Sequence, residues 1–307
     1  MSRHIIYIIN PISGTRTRKD LEKLIIQKTK QKGIVFTIFP SVASGDYSFL
    51  LPLVKEKKVT DIVIAGGDGT VSQVVSSLME CPVNFGIIPC GSGNGLAYAA
   101  KIPKQPARAL EIIFSGTPSA IDGFLINDRF ACMLCGLGFD AKVAHDFAGQ
   151  PERGLISYVK QVVKNFFSAK TYVFELKINK SIVRTEAYFI SIANSNQFGN
   201  NFTIAPRASL RDGLLDVVIV MNQSKLSVLL QTFKQVRGKN ELLPKESFEQ
   251  ADIIIEQKKK VLYFQTDKIS ITNLSEAPLH IDGDPAETPA FLDIAVKEKC
   301  FRLIQPG

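Results

Sequence analysis

The chain has 307 residues, with 45% hydrophobic and 21% charged side chains. That is ordinary globular composition with apolar material for two cores, and it excludes a long disordered protein. The net charge of +8 and a pI near 9.1 favour anionic partners such as nucleotides or acidic membranes without choosing among them.

In chain order, the first ~120 residues alternate strand-like and helix-like segments. His4–Ile9 is a β-branched strand. Residues 17–31 carry helical spacing through Leu21, Leu24, Ile25 and Lys28. Strands are expected at Ile34–Phe39, Asp61–Ala65 and Asn84–Ile88. Helices are expected at Tyr47–Lys57, Val71–Met79, Gly95–Lys101 and Pro106–Phe114. Such alternation predicts a parallel sheet with helices on both faces.

After Asp122 the texture changes to strand following strand: Asp128–Leu134, Tyr172–Ile178, Ser181–Ala193, Leu215–Val220, 252–256, Val261–Thr266, Lys268–Thr272 and Leu279–Ile281. Alternating polar and apolar residues predict antiparallel sheets packed on one face, as in a sandwich. Two helical interruptions stand out. Residues 155–167 show Ile156, Val159, Val162, Val163, Phe166 and Phe167 among Lys160 and Lys164. Residues 226–238 show Leu226, Leu229, Leu230 and Phe233 beside Lys225, Lys234, Arg237 and Lys239. Basic amphipathic helices either lie on anionic bilayers or pack on a sandwich. The boundaries expected are an α/β domain over 1–124, joined by a tail of about 290–307, and a β-sandwich over 125–289.

Five cysteines, Cys81, Cys90, Cys132, Cys135 and Cys300, are too few and odd in number for a disulfide framework. The lone Cys132-x-x-Cys135 pair has no second pair to complete a zinc site, so core packing is expected. No signal peptide is read at the N-terminus and no apolar run approaches the ~20 residues of a membrane span. A cytoplasmic protein with peripheral membrane contact is the expectation.

The chemistry-bearing pattern lies at the strand ends. Gly66-Gly67-Asp68-Gly69-Thr70 follows a strand and precedes a helix. Three glycines let the backbone approach a ligand, and a helix N-terminus behind them attracts anions. Thr70 is the expected cap. Asp68 is out of place beside phosphate unless a divalent cation or a proton transfer accounts for it. A second turn, Pro89-Cys90-Gly91-Ser92-Gly93-Asn94-Gly95, and a third, Asn10-Pro11-Ile12-Ser13-Gly14, end two other strands. In an open parallel sheet, turns at the carboxyl ends of strands face one crevice. Neither a P-loop nor a dinucleotide-binding fingerprint is present.

Together these motifs resemble the diacylglycerol kinase catalytic domain family, which includes sphingosine kinases, ceramide kinases and compact bacterial lipid kinases. The likeness continues through Gly138-Phe139-Asp140-Ala141, Asn194 to Ala208, Asp212-Gly213-Leu214-Leu215-Asp216 and Ile281-Asp282-Gly283-Asp284. It implies a phosphofructokinase-like α/β domain, a β-sandwich domain and ATP in a cleft between them. Asn10, Gly14, Gly67, Gly69, Thr70, Ser92 and Asn94 would line the nucleotide site, with Arg153 offsetting phosphate charge. Asp282 would be the base facing the substrate hydroxyl, with Asp68 the second choice. Asp284 stands where the family usually has Glu and would lie on the nucleotide side. Mg²⁺ would be held by Asp68 and Asp122, and a structural metal by Asp212 and Asp216. The substrate would be a lipid alcohol, diacylglycerol-type ahead of sphingoid bases, met at a membrane surface. No nucleic acid partner is expected, and a homodimer is left open. Two other readings stand beside this one: an NAD kinase, which shares the G-G-D-G-T loop, and a non-catalytic nucleotide or lipid sensor.

Overall fold

The computed structural model describes residues 3–11, 18–148, 165, 168–197, 203–237, 240, 242–243 and 260–307. The chain divides into two compact units, Met1–Ile121 with Lys299–Gly307, and Asp122–Glu298.

The first unit is built on a parallel sheet. Its strands are β1 (His4–Ile9), β2 (Val35–Pro40), β3 (Asp61–Gly66) and β4 (Asn84–Pro89). β1 pairs with both β2 and β3, and β3 pairs with β4, all in parallel. The last strand of the chain, β15 (Phe291–Gln305), adds Arg302 and Leu303 beside Asn84 and Phe85, again in parallel. Every residue of β3 is buried, the pattern of a strand covered on both faces. The helices are α1 (Arg18–Gln31), α2 (Leu51–Glu56), α3 (Asp68–Leu78), α4 (Gly95–Ala99) and α5 (Pro106–Ser115). Residues 47–57, expected as one helix, open with a 3₁₀ turn at Ser48–Leu50 before α2. Pro52 sits in the first turn of α2, where its missing N–H costs nothing.

Two ties fasten the inner strands to each other and to the helices. Arg3 pairs with the buried Asp61 carboxylate at 2.7 Å and donates to the Ile113 and Phe114 carbonyls at the end of α5. The Tyr7 hydroxyl shares a 2.8 Å hydrogen bond with Thr29 of α1. Burial pushes that phenol up to about 12.

The second unit is antiparallel. Its strands are β5 (Thr117–Ile126), β6 (Arg129–Ala131), β7 (Leu134–Gly138), β8 (Tyr172–Ile178), β9 (Ser181–Ala193), β10 (Leu215–Met221), β11 (Val261–Thr266), β12 (Lys268–Asn273), β13 (Leu279–Ile281) and β14 (Asp284–Ala286). The order runs β14-β13-β7-β9-β8-β12-β15, with β10 joined to β9 and β11. Alternation is clean along β8 and the first half of β9, whose inward residues enter a core with Phe124, Phe174, Leu176, Ile190, Phe264 and Ile294. Helices α6 (Phe139–Ala148) and α7 (Lys225–Val236) interrupt the strands.

Residues 128–134, expected as one strand, form two. Cys132 and Met133 break the ladder between β6 and β7 because their amides turn to the Asp282 carboxylate. β5, α6, β14 and β15 carry no sequence expectation. β5 contains Pro118 and Gly123, and β15 has Lys297-Glu298-Lys299 at its middle. These residues mask the strand pattern until partners impose it. The expected strand at 252–256 and helix at 155–167 lie outside the described residues, apart from Asn165.

Candidate active site

Two glycine turns of the first unit, at Gly66–Thr70 and Pro89–Gly95, and the Asn10–Pro11 end of β1 come together at the carboxyl ends of β1, β3 and β4. Parallel pairing places those ends side by side. The Asn10 N–H donates to the Ala65 carbonyl and the Cys90 N–H to the Gly66 carbonyl, both at 2.9 Å. Past those bonds the chains turn. A Cβ on Gly91 would lie 2.6 Å from the Cα of Gly67, so the two glycine turns pack backbone against backbone. The Gly91 position therefore admits no side chain without separating the turns.

Asn94 holds the second turn closed. Its backbone is left-handed (φ 56°). Its side chain accepts the Gly91 N–H at 2.8 Å and donates to the Gly91 carbonyl at 2.7 Å. The residue is buried, so its sequence-predicted role in lining the site is played as a clip on the loop. Ser92 is exposed on the same turn.

The first turn differs from expectation at its cap. The helix begins at Asp68, with Gly67 in extended conformation as the N-cap, and Gly69 and Thr70 lie inside the first turn. Thr70 therefore does not cap the helix; its hydroxyl accepts a 2.8 Å hydrogen bond from Asn10 Nδ2. That bond ties the end of β1 to the glycine turn after β3. Asp68 Oδ1 accepts the Leu96 N–H at 3.4 Å, linking the starts of α3 and α4. An acid in the first turn complements the positive end of the α3 dipole, and the residue remains half-exposed. Gly14 and Arg153 lie outside the described residues.

In the second unit the acidic residues are placed differently. Asp282 is 5% exposed and left-handed (φ 49°). Its Oδ1 accepts the Met133 and Leu134 amides at 2.9 and 3.0 Å, and its Oδ2 accepts the Cys132 amide at 3.0 Å. The Asp282 N–H donates in turn to the Leu134 carbonyl. A side chain aimed into a cleft was the expectation; the carboxylate instead clamps the link between β6 and β7. Asp284, the first residue of β14, is exposed two positions on.

Asp122, Asp212 and Asp216 are drawn into backbone and side-chain bonds. Asp122 Oδ2 accepts the Gly213 N–H at 2.9 Å, and Asp212 Oδ1 accepts the Leu214 N–H at 3.2 Å. Asp216, fully buried on β10, accepts the Tyr263 hydroxyl at 2.5 Å and Gln265 Nε2 at 3.0 Å. Desolvation raises the Asp216 carboxyl to about 6, with the charge of Asp212 adding to the rise. Desolvation also raises Asp212, with a further contribution from Asp122. Among the described residues no three acidic, histidine or cysteine side chains are gathered as a metal site. The oxygens of Asp216 serve Tyr263 and Gln265, so the expected structural metal at Asp212 and Asp216 does not fit the side chains as they stand. A hydrogen-bonded acidic strand start stands in its place.

Two residues entered the sequence reading only as parts of the resemblance, with no role assigned. Asn194, fully buried, donates to the carbonyls of Asp122 and Cys132 and so ties β5 and the link between β6 and β7 to the end of β9. Asp140, at the start of α6, approaches His280 Nε2 of β13 at 3.5 Å. A Cβ on Gly136 would lie 2.1 Å from the Asp140 carboxylate. The glycine of β7 makes room for that pair, and the only sequence signal was the Gly138-Phe139-Asp140-Ala141 motif. Cys132 and Cys135 are buried free thiols, and burial pushes the Cys135 thiol well up, as core packing requires.

An α/β unit with glycine turns at its strand ends, followed by an antiparallel β unit, is the two-domain kinase architecture that the sequence motifs imply. Comparisons with known proteins agree. The diacylglycerol kinase catalytic domain matches residues 4–126, and the YegS C-terminal NAD kinase beta sandwich-like domain matches residues 134–295. The chain belongs to the diacylglycerol kinase family of enzymes that join these two domains. A diacylglycerol kinase of Bacillus subtilis is 22% identical over 282 residues, covering 90% of this chain and 88% of the relative. An uncharacterized protein of Synechocystis is 26% identical over 293 residues, and the chain spans 64% of that relative's length. A diacylglycerol kinase structure from Bacillus anthracis superposes with a TM-score of 0.71 over 99% of this chain and 97% of the other, at 17% identity.

Proposed function

We propose that this chain transfers the γ-phosphate of ATP to the hydroxyl of a diacylglycerol-type lipid, with Asp68 as the group that takes the hydroxyl proton. The observation that carries this reading is the contact of the Gly67 and Gly91 turns beside Asp68 and the Asn10–Thr70 bond. Phosphoryl transfer asks the protein mainly for positioning and charge compensation. The glycine turns offer backbone N–H groups where no side chain intrudes, and the first-turn amides of α3 add the positive end of a helix dipole. These residues fit a nucleotide's phosphates.

Asp68 beside phosphates fits a divalent cation as well. Mg²⁺, when bound with the nucleotide, neutralises phosphate charge, and Asp68 is the carboxylate of the first unit that would hold it through water. Asn10 and Thr70 position the turn that carries Asp68. Asn94 keeps the opposite turn closed. Asp282, with its carboxylate engaged by three amides, orders the link between β6 and β7 and acts as a positioning residue rather than as the base.

The names of the relatives, which include diacylglycerol kinase and probable lipid kinase, favour a lipid acceptor and diacylglycerol over sphingoid bases. Radiolabelled ATP incubated with a panel of lipid alcohols in mixed micelles, and in a parallel reaction with NAD, tests the reading. Label in phosphatidate is the expected result. Label in a sphingoid phosphate would change the substrate, and label in NADP with none in any lipid would replace the function.

A further inference from the structure

A kinase whose acceptor lies in a bilayer must reach that surface, and α7 carries the features for it. The helix is seated by one face. Val228 is buried, and Gln235 is fully buried with its Nε2 donating to the Ile204 carbonyl at 2.9 Å. Asn240 Nδ2 donates to Gln235 Oε1 at 2.9 Å and to the Gln231 carbonyl at 3.3 Å. These bonds set the rotation of the helix about its axis. With that rotation fixed, Leu226 is 70% exposed and Leu230 56% exposed. Spaced four residues apart, they lie one above the other on the outer face.

Lys234 continues the same row at the next four-residue step, and Arg237 follows it; both are exposed. Charge along the segment is one-sided. Residues 217–240 contain Lys225, Lys234, Arg237 and Lys239 and no Asp or Glu. Paired exposed leucines in one row with the exposed Lys234 and Arg237 are complementary to an anionic bilayer: the leucines enter the acyl boundary and the cations meet the headgroups.

We infer that α7 is a membrane-docking helix that sets this chain on anionic lipid through Leu226, Leu230, Lys234 and Arg237. The inference rests on the lipid kinase reading, because it names the surface from which the acceptor is drawn. Docking concentrates the enzyme where its substrate is and leaves the chemistry of the glycine turns unchanged.

The test is co-sedimentation of the full chain with vesicles of phosphatidylcholine alone or mixed with phosphatidylglycerol. The wild-type chain is expected to pellet with the anionic vesicles, and less so as salt rises. Lys234→Glu and Arg237→Glu should each weaken partition by at least about fivefold. The double variant Leu226→Ser/Leu230→Ser should weaken it roughly tenfold or more. Phosphate transfer to a short-chain, monomerically dispersed diacylglycerol should be unchanged in all of them. Retention of vesicle binding by the leucine and charge variants would overturn the proposal. So would a wild-type dimer that the leucine variant converts to monomers while neither binds vesicles, since α7 would then be a contact between copies. If the wild-type chain phosphorylates no lipid alcohol at all, the kinase reading falls, and the vesicle result still decides whether α7 docks.

Discussion

Gly67 and Gly91 meet backbone to backbone: a Cβ on Gly91 would stand 2.6 Å from the Gly67 Cα, and one on Gly67 would stand 3.2 Å from the Gly91 Cα. Two loops from separate crossovers are thereby held against each other at the sheet's carboxyl edge. The contact has a clear consequence. Gly91→Ala has only backbone to push against, so the turns must separate, at a cost of about 1–3 kcal/mol. Thermal unfolding should show that loss, and ATP affinity measured by calorimetry should fall further than for an alanine at exposed Ser92.

Asn94 performs two tasks that substitution can separate. Asn94→Ala removes both hydrogen bonds to Gly91 and places a Cβ residue without polar compensation in a left-handed conformation, with an expected cost of about 2–4 kcal/mol. Asn94→Gly keeps the backbone conformation and loses only the clip, so it should be the milder change. Comparing the two by chemical denaturation checks this order.

Asp68 and Asp282 should part company under isosteric replacement. Asp68→Asn is expected to lower turnover by ~10²–10⁴-fold while costing no more than about 1 kcal/mol in stability, the contribution of a charge at the start of α3. Asp282→Asn turns an amide N–H₂ toward at least one of the Cys132, Met133 and Leu134 donors. A loss of about 1–3 kcal/mol in stability should result. A stable Asp282→Asn chain with turnover as low as that of Asp68→Asn would return the base to Asp282.

Asp216 gives the second unit a pH dependence of definite sign. Its folded carboxyl sits near 6, above the ordinary value of 3.8, because burial disfavours the charge. A raised carboxyl binds more protons folded than unfolded. Its stabilising contribution is full below about pH 4 and is lost as pH rises to about 6. Asp216→Asn should flatten that part of the stability curve in denaturant titrations between pH 4 and 6, while leaving carboxylates outside the pair unaffected.

Much of the first unit was readable from local pattern. β1 matches its expected span residue for residue, and β3 and β4 differ by one residue at the end. Short apolar runs bounded by glycine turns leave few alternatives. Within the second unit, β8, β9, β11 and β13 also fall where alternation placed them. The misses have physical causes. β5 and β15 pair with each other over a long sequence separation, and the lysines and proline within them read as breakers until that pairing forms. α3 starts three residues before its expected first residue because extended Gly67, not Thr70, ends the turn.

The amino-acid order alone determined that glycine corners follow buried strands three times in one alternating domain, and that a β-rich domain comes after it. Those facts depend on local steric freedom and on side-chain periodicity, both of which are written in neighbouring residues. Only the tertiary structure decided that Gly67 touches Gly91, that the Thr70 hydroxyl belongs to Asn10, and that the Asp282 carboxylate is consumed by amides some 150 positions earlier. The outward turn of Leu226 and Leu230 was also decided there, by the buried Gln235. Each of these depends on which groups the folded chain brings within hydrogen-bonding or van der Waals reach, and linear spacing carries no record of that.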